Sequence, residues 1–183
     1  MQFHNLGLDG PVRIELDRRS DDRGFFARLF CTEEFRKHDL EHEWVQINNS
    51  LTMDKGMVRG LHFQRAPSAE VKLVRCVRGS IYDVAVDLRD GSPTYGEWRA
   101  AELTAENRSM LYIPAGFGHG FQALESGSEI IYFNSAAYAP ELEGGLRFDD
   151  TQVEIDWPLN AVGLSDRDNQ LPTLEHLQPI AIP

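Results

Sequence analysis

Residues 11–135 are cut by turn-forming residues roughly every ten positions, and the pieces between the cuts are the length of β-strands. The cuts are Asp21-Asp22-Arg23-Gly24, Asp54-Lys55-Gly56, Arg78-Gly79, Asp90-Gly91-Ser92-Pro93, Pro114-Ala115-Gly116 and Ser126-Gly127. These residue types supply the unusual or fixed φ values that reverse a chain. The pieces, read as strands, are residues 11–17, 24–31, 44–50, 57–64, 71–78, 80–88, 97–103, 109–113, 119–125 and 129–135. Segment 80–88 shows the period most plainly: Tyr82, Val84, Val86 and Leu88 share one face, and Asp83 and Asp87 lie on the other. Only residues 32–38 (TEEFRKH) read as a helix, with Thr32 as N-cap and Glu33 and Glu34 in the first turn. About ten short strands imply a sandwich, jelly roll or barrel. A chain of 183 residues fits one domain, 1–183, and the last 25 residues, rich in Pro, Asp and Asn, are expected to wrap its outside.

Charge and composition narrow the function. A formal net charge of −11 argues against a nucleic-acid binder, which needs a broad basic surface. It leaves room for a single nucleotide, held by a few Arg, Lys and backbone N–H groups. The start of the chain lacks a basic stretch followed by an apolar run, and segments such as IYDVAVDL are too short to span a bilayer. No membrane partner is expected, and the expected address is the cytoplasm. Cys31 and Cys76 have no metal or redox spacing and are expected to be free thiols.

Of the six histidines, His4, His38, His42 and His176 sit in polar surroundings and read as surface residues. His62 (Gly60-Leu61-His62-Phe63-Gln64) and His119 (Gly118-His119-Gly120-Phe121) each lie between a glycine and an aromatic. On a strand His62 shares a face with Val58, Gly60 and Gln64. Taken alone it reads first as an interior residue, but Arg59, Gln64 and Lys72 add a cationic and amide cluster that is costly to bury without an anion. A jelly-roll metal site would need His-x-His spacing with further ligands. Gln64 and Gly60 occupy the flanking positions, so no metal is expected. Tyr132 in its apolar strand and Asp168 in Leu164-Ser165-Asp166-Arg167-Asp168-Asn169, a polar turn or helix start, are not promoted by pattern alone.

Longer motifs promote them. These are Asp22-Arg23-Gly24-x-Phe26, Arg59-Gly60-Leu61-His62-Phe63-Gln64, Lys72-Leu73-Val74-Arg75-Cys76 and Asp83-Val84-Ala85-Val86-Asp87-Leu88-Arg89. Ser92-Pro93-Thr94-Tyr95-Gly96, Ile113-Pro114-Ala115-Gly116-Phe117-Gly118-His119-Gly120-Phe121, Tyr138-x-Pro140-x-x-Glu143, Trp157-Pro158 and Ser165-x-x-Asp168 follow in the same order. Together the motifs resemble the dTDP-4-dehydrorhamnose 3,5-epimerase family over nearly the whole chain. The resemblance implies an all-β cupin-type jelly roll with a few short helices, acting as a homodimer without metal or organic cofactor. The implied substrate is a nucleoside-diphosphate 4-keto-6-deoxy hexose. By the same resemblance His62 is the general base, Asp168 the carboxylate that orients it, Tyr132 the donor on the opposite face and Lys72 the cation beside the C4 oxygen. Arg23, Arg28, Gln46, Asn48, Arg59, His119, Tyr138, Glu143 and Arg167 fall on or beside substrate-contacting positions.

These residue types suit the chemistry. A proton alpha to a ketone is acidic only if the enolate oxygen is stabilised, which a cation in a dry site provides. An imidazole held by a carboxylate is neutral enough and basic enough to take that proton. Inversion demands a second donor on the other face.

The chain departs from the family pattern at four places. Arg28, after Ala27, stands where a glutamate usually contacts the nucleotide, and Asn49 where His is usual. Phe133 follows Tyr132 in place of Lys, and Glu70-Val71 precede Lys72 in place of Gln and a small residue. Arg28 either donates to cytosine N3, which would favour a CDP-sugar, or points to solvent while another residue reads thymine. An epimerase acting at C3 and C5 is the leading expectation. A single-carbon epimerase, a cupin 3,4-ketoisomerase and a non-catalytic sugar-nucleotide binder are the alternatives.

Overall fold

The structure is a computed structural model that describes residues 1–182. Six strands form one antiparallel sheet: β1 (Gln2–Asn5), β2 (Val12–Glu15), β10 (Met110–Ile113), β7 (Lys72–Arg78), β12 (Ser128–Asn134) and β5 (Gln46–Thr52), in that spatial order. Five form the facing sheet: β13 (Glu143–Gly145), β6 (Val58–Gln64), β11 (Phe117–Ala123), β8 (Ser80–Asp87) and β9 (Trp98–Thr104). Consecutive strands alternate between the sheets over much of the chain, and the two sheets close as a cupin-type jelly roll.

Alternating side chains explain why the sheets face each other. Val74 and Cys76 of β7, Leu111 and Ile113 of β10 and Ile130 of β12 meet Ile81 and Ala85 of β8, Leu103 of β9 and Phe121 of β11 in one core. Full burial of an aliphatic or aromatic side chain contributes about 1.5–3 kcal/mol, so this interior dominates the favourable side of folding. The expected period of two in segment 80–88 is present in β8, but both of its faces are buried. Val84, Val86 and Leu88 pack outward against Phe63, Leu146, Val153 and Ile180, while the face bearing Asp83 and Asp87 turns into the barrel, each carboxylate 0% exposed. Asp87 is satisfied there by Arg89, Ser92 and Thr94.

The last segment does wrap the outside. Val162 bridges Met57, Ile180 bridges Arg89, and a one-turn helix α2 (Asp166–Asn169) lies between them in the chain. The six-stranded sheet is covered on its outer side by α1 (Thr32–Lys37), whose Phe35 is fully buried among Phe30, Trp44 and Leu73. Thr32 is not the N-cap as expected. Cys31 takes that place with extended backbone and no side-chain cap, because the depth of Phe35 sets where the first turn begins and Phe35 N–H bonds to the Cys31 carbonyl. Both cysteines are free.

The segment read as a strand over 24–31 is shorter than that. β3 (Arg19–Asp21) and β4 (Gly24–Phe26) pair only with each other and stand off both sheets. Gly24 takes φ 133° in the turn, and Asp21 accepts from the Arg23 backbone N–H and guanidinium. The chain then leaves extended conformation to bring Phe30 under α1. Strands β1, β3 and β13 and helix α2 lie outside the segments expected to be ordered elements.

Candidate active site

One end of the barrel opens into a cavity of two adjoining lobes, of about 430 Å³ and 590 Å³, and His62, Lys72, Tyr132 and Arg167 line both. Strand register explains the gathering. On the inner face of the six-stranded sheet Gln46, Asn134 and Lys72 form one row across β5, β12 and β7, and Asn48, Tyr132 and Val74 the next. Across the barrel, His62 of β6 pairs directly with His119 of β11. The His62 imidazole and the Tyr132 phenol therefore enter the cavity from facing sheets.

The close approach of β6 and β11 depends on glycine. Gly60 has φ 117°, and a Cβ there would lie 2.6 Å from the Gly120 Cα. The register shifts immediately beyond, between His119 and Phe121. Any larger residue at Gly60 would push apart the two strands that set the histidines side by side.

His62 Nε2 lies 2.7 Å from Asp168 Oδ1. Asp168 is brought 106 residues along the chain by α2, whose N-cap Ser165 accepts the Asp168 backbone N–H at 3.0 Å. The Gly60 N–H reaches the other carboxylate oxygen at 3.4 Å. Burial alone would push the Asp168 carboxyl up, but its bonds to His62, Gly60 and the Ser165 cap hold it below the usual carboxylate value. An ionised Asp168 accepts the hydrogen bond from the Nε2–H, which leaves the ring's lone pair on Nδ1.

A second pair stands beside the first. His119 Nε2 lies 2.8 Å from Asp83 Oδ1, and both side chains are buried. Asp83 was not singled out by sequence, although a lone carboxylate between apolar strand neighbours signals a buried, paired anion.

Lys72 Nζ is 3.1 Å from Glu70 Oε1, with 11% and 9% of the two side chains exposed. Asn134 donates to the other Glu70 oxygen at 2.6 Å. Neither Glu70 nor Asn134 was among the expected site residues, and charge pattern alone does not separate Glu70 from a solvated acid. Burial raises the Tyr132 phenol above its ordinary value; Glu70 and Glu143 add to the rise and Arg59 opposes it. Arg59 itself is held by the Thr52 hydroxyl and the Leu51 carbonyl.

The rim of the polar lobe carries Gln46, Asn48, Tyr138, Glu143 and Arg167. Glu143 accepts from the Tyr138 hydroxyl at 2.7 Å and pairs with Arg167. Burial pushes its carboxyl up, and these two partners bring it below the ordinary value. Arg23 and Arg28 do not reach the cavity within this chain. Arg23, on the protruding hairpin, is 90% exposed and pairs with Asp21. Arg28 pairs with Glu34 at 3.3 Å beside a different, smaller cleft, so within this chain it does not read a base. Asn49 turns its amide to Glu129 on the outer side, and Phe133 packs outward on Trp44.

A jelly roll with a carboxylate-held histidine, a half-buried phenol and a paired lysine converging from two sheets defines a cupin-type carbohydrate epimerase. The model of the dTDP-4-dehydrorhamnose 3,5-epimerase family matches residues 5–176. The Sinorhizobium fredii dTDP-4-dehydrorhamnose 3,5-epimerase is 45% identical over 95% of this chain and 90% of its own. The Streptomyces niveus dTDP-4-dehydrorhamnose 3-epimerase is 35% identical over 100% and 94%. Among solved structures, the Sulfolobus tokodaii 3,5-epimerase superposes with TM-score 0.89 at 43% identity, covering 98% of each chain. The Legionella pneumophila enzyme in complex with dTDP-4-keto-L-rhamnose does so with TM-score 0.90 at 36% identity, covering 97% and 94%. The chain belongs to the dTDP-4-dehydrorhamnose 3,5-epimerase family.

Proposed function

We propose that this epimerase inverts C3 and C5 of dTDP-4-dehydro-6-deoxy-D-glucose, giving dTDP-4-dehydro-L-rhamnose, with His62 as base and Tyr132 as donor. The observation that carries the reading is that these two side chains enter one cavity from facing sheets. His62 Nδ1 takes the proton alpha to the C4 ketone, and Asp168 stabilises the imidazolium that forms. The electron pair moves onto the C4 oxygen, where Lys72 meets the developing negative charge. The Tyr132 hydroxyl returns a proton to carbon on the opposite face. Proton exchange with solvent then resets phenolate and imidazolium, so the cycle needs no redox partner. Arg59, Arg167 and the Gln46 and Asn48 amides supply the polar contacts for the diphosphate and sugar.

The test is incubation of the dTDP-4-keto sugar in D₂O with NMR location of the label. Deuterium at C3 and C5 with inversion at both is expected. Label confined to C3 would reduce the activity to single-carbon epimerisation, and no label at either would overturn the reading. Calorimetric titration with dTDP and CDP checks the base, and tighter binding of CDP would overturn the thymine assignment.

The reading includes a homodimer. Val45, Ile47, Leu51 and Met53 are exposed on or beside edge strand β5, and Phe25, Phe26 and Leu29 are exposed on and after the β3–β4 hairpin. A second copy would cover such an apolar stripe. Arg23 and Arg28 can contact substrate only in an assembly of that kind. Light scattering is expected to give twice the chain mass, and a monomer at assay concentration would remove both arginines from the site.

A further inference from the structure

Among the four departures from the family pattern, Glu70 alone is buried in the cavity wall. It is also the most connected side chain there. One oxygen meets the Lys72 ammonium at 3.1 Å. The other accepts from Asn134 at 2.6 Å and from Gln64 at 3.4 Å. Asn134 accepts in turn from Asn48 at 3.3 Å, and Asn48 from Gln46 at 3.2 Å. A ladder of amides thus runs from the rim of the polar lobe to the carboxylate that holds the lysine. Lysine reaches its place through four rotatable bonds, and an ammonium left to itself samples many positions. One N–H spent on a fixed carboxylate leaves the other two aimed into a narrower region.

We propose that Glu70 is a positioning residue for the epimerisation: it anchors Lys72 at the ketone oxygen and couples that anchor, through Asn134 and Asn48, to the substrate-lining amides. The proposal rests on the function given above. Glu70 acts by charge as well as by position. The groups that line the cavity with the Tyr132 phenol are Glu70 from the loop before β7, Lys72 from β7, Arg59 and His62 from β6, His119 from β11, Glu143 from β13, and Arg167 and Asp168 from α2. Among the acids, Glu70 does most to hold the phenol in its protonated, donating form.

Two substitutions separate position from charge. Glu70→Ala removes both, whereas Glu70→Gln removes the charge and keeps one oxygen to accept from the Lys72 ammonium, its NH2 group turning toward Asn134. Glu70→Ala is expected to lower kcat on the order of 10²-fold, the cost of a misplaced group, with KM and dTDP affinity changed less than about threefold. Glu70→Gln is expected to recover most of kcat while the alkaline limb of its pH profile moves to lower pH. The Tyr132 phenol titration, read as the near-ultraviolet difference against Tyr132→Phe in the same background, is expected to move the same way. Wild-type kcat in Glu70→Ala, a rise in KM alone, or an unmoved phenol titration in Glu70→Gln would each overturn the proposal. If Glu70→Ala does not fold, the Glu70→Gln profile and titration decide. A wild-type protein inert toward every 4-keto sugar nucleotide would sink the functional reading instead, and the phenol titration would still report whether Glu70 acts on Tyr132.

Discussion

His62 and His119 sit opposite each other on β6 and β11, and each gives Nε2 to an aspartate at nearly the same distance, 2.7 Å and 2.8 Å. Their surroundings differ. The His62 side chain keeps 26% of its surface exposed and lines both lobes, and its carboxylate comes from a distant helix turn with one oxygen bonded to the ring and the other to the Gly60 N–H. The His119 side chain is 9% exposed, and its carboxylate comes from the neighbouring strand of the same sheet. Asp83 Oδ2 is buried with no hydrogen-bond partner among the described residues. A histidine–carboxylate pair is thus no catalytic unit by itself. It becomes a base where the ring meets substrate and the anion behind it is fully hydrogen-bonded. At His119 the same pairing holds the ring against the wall of one lobe, with one oxygen of its carboxylate unpartnered among the described residues.

The comparison can be broken by unequal losses. His62→Ala is expected to lower deuterium exchange by about 10²–10⁴-fold, the contribution of a positioned base, with dTDP affinity by calorimetry preserved. Persistent exchange would make the two histidines interchangeable. Asp168→Asn comes next, on the order of 10²-fold in kcat, because an amide neither fixes the tautomer nor stabilises the imidazolium. Asp83→Asn is expected to cost about tenfold or less in kcat/KM, chiefly through KM. Equal losses in the two aspartate variants would dissolve the distinction.

The smallest effect is on stability. The folded Asp168 carboxyl is held below its unfolded value, so its stabilisation is present above about pH 3.9 and is lost as pH falls through the folded value. In melting scans from about pH 6 to about pH 3, wild type should therefore lose its advantage over Asp168→Asn, which does not titrate there. A constant gap would mean that the pair contributes nothing as an ion pair.

Those differences explain what the residues could and could not reveal in advance. The strands of both sheets were legible where side chains alternate over seven or eight residues, as in β8 (Ser80–Asp87) against the expected 80–88. Strands β1, β3 and β13 escaped, β3 and β13 because three residues there offer neither a period nor a hydrophobic face. Ser165 three residues before Asp168 was the readable sign of α2, a cap-and-acid spacing that is also common in plain turns. His62, Lys72, Tyr132 and Asp168 were reached through long motifs, and the fold places them around one cavity. Asp83 and Glu70 went unselected because their importance lies in cross-strand and cross-sheet partners that one strand does not display. Arg23 carried the opposite risk: its motif matched, but it sits on a hairpin that pairs with neither sheet and does not line the cavity of its own chain, while Arg28, a departure from the motif, pairs with Glu34.

The placement of Asp168 on α2 has one more consequence. The barrel's strands end at Gly145, while the acid that holds the His62 ring arrives twenty-three residues later, on a segment pinned to the outside by the Met57–Val162 and Arg89–Ile180 bridges. The contact that holds the His62 ring is therefore made by a stretch of chain that belongs to neither sheet. Synthesis runs from the N-terminus, so the strands of both sheets emerge before the residue that holds the His62 ring.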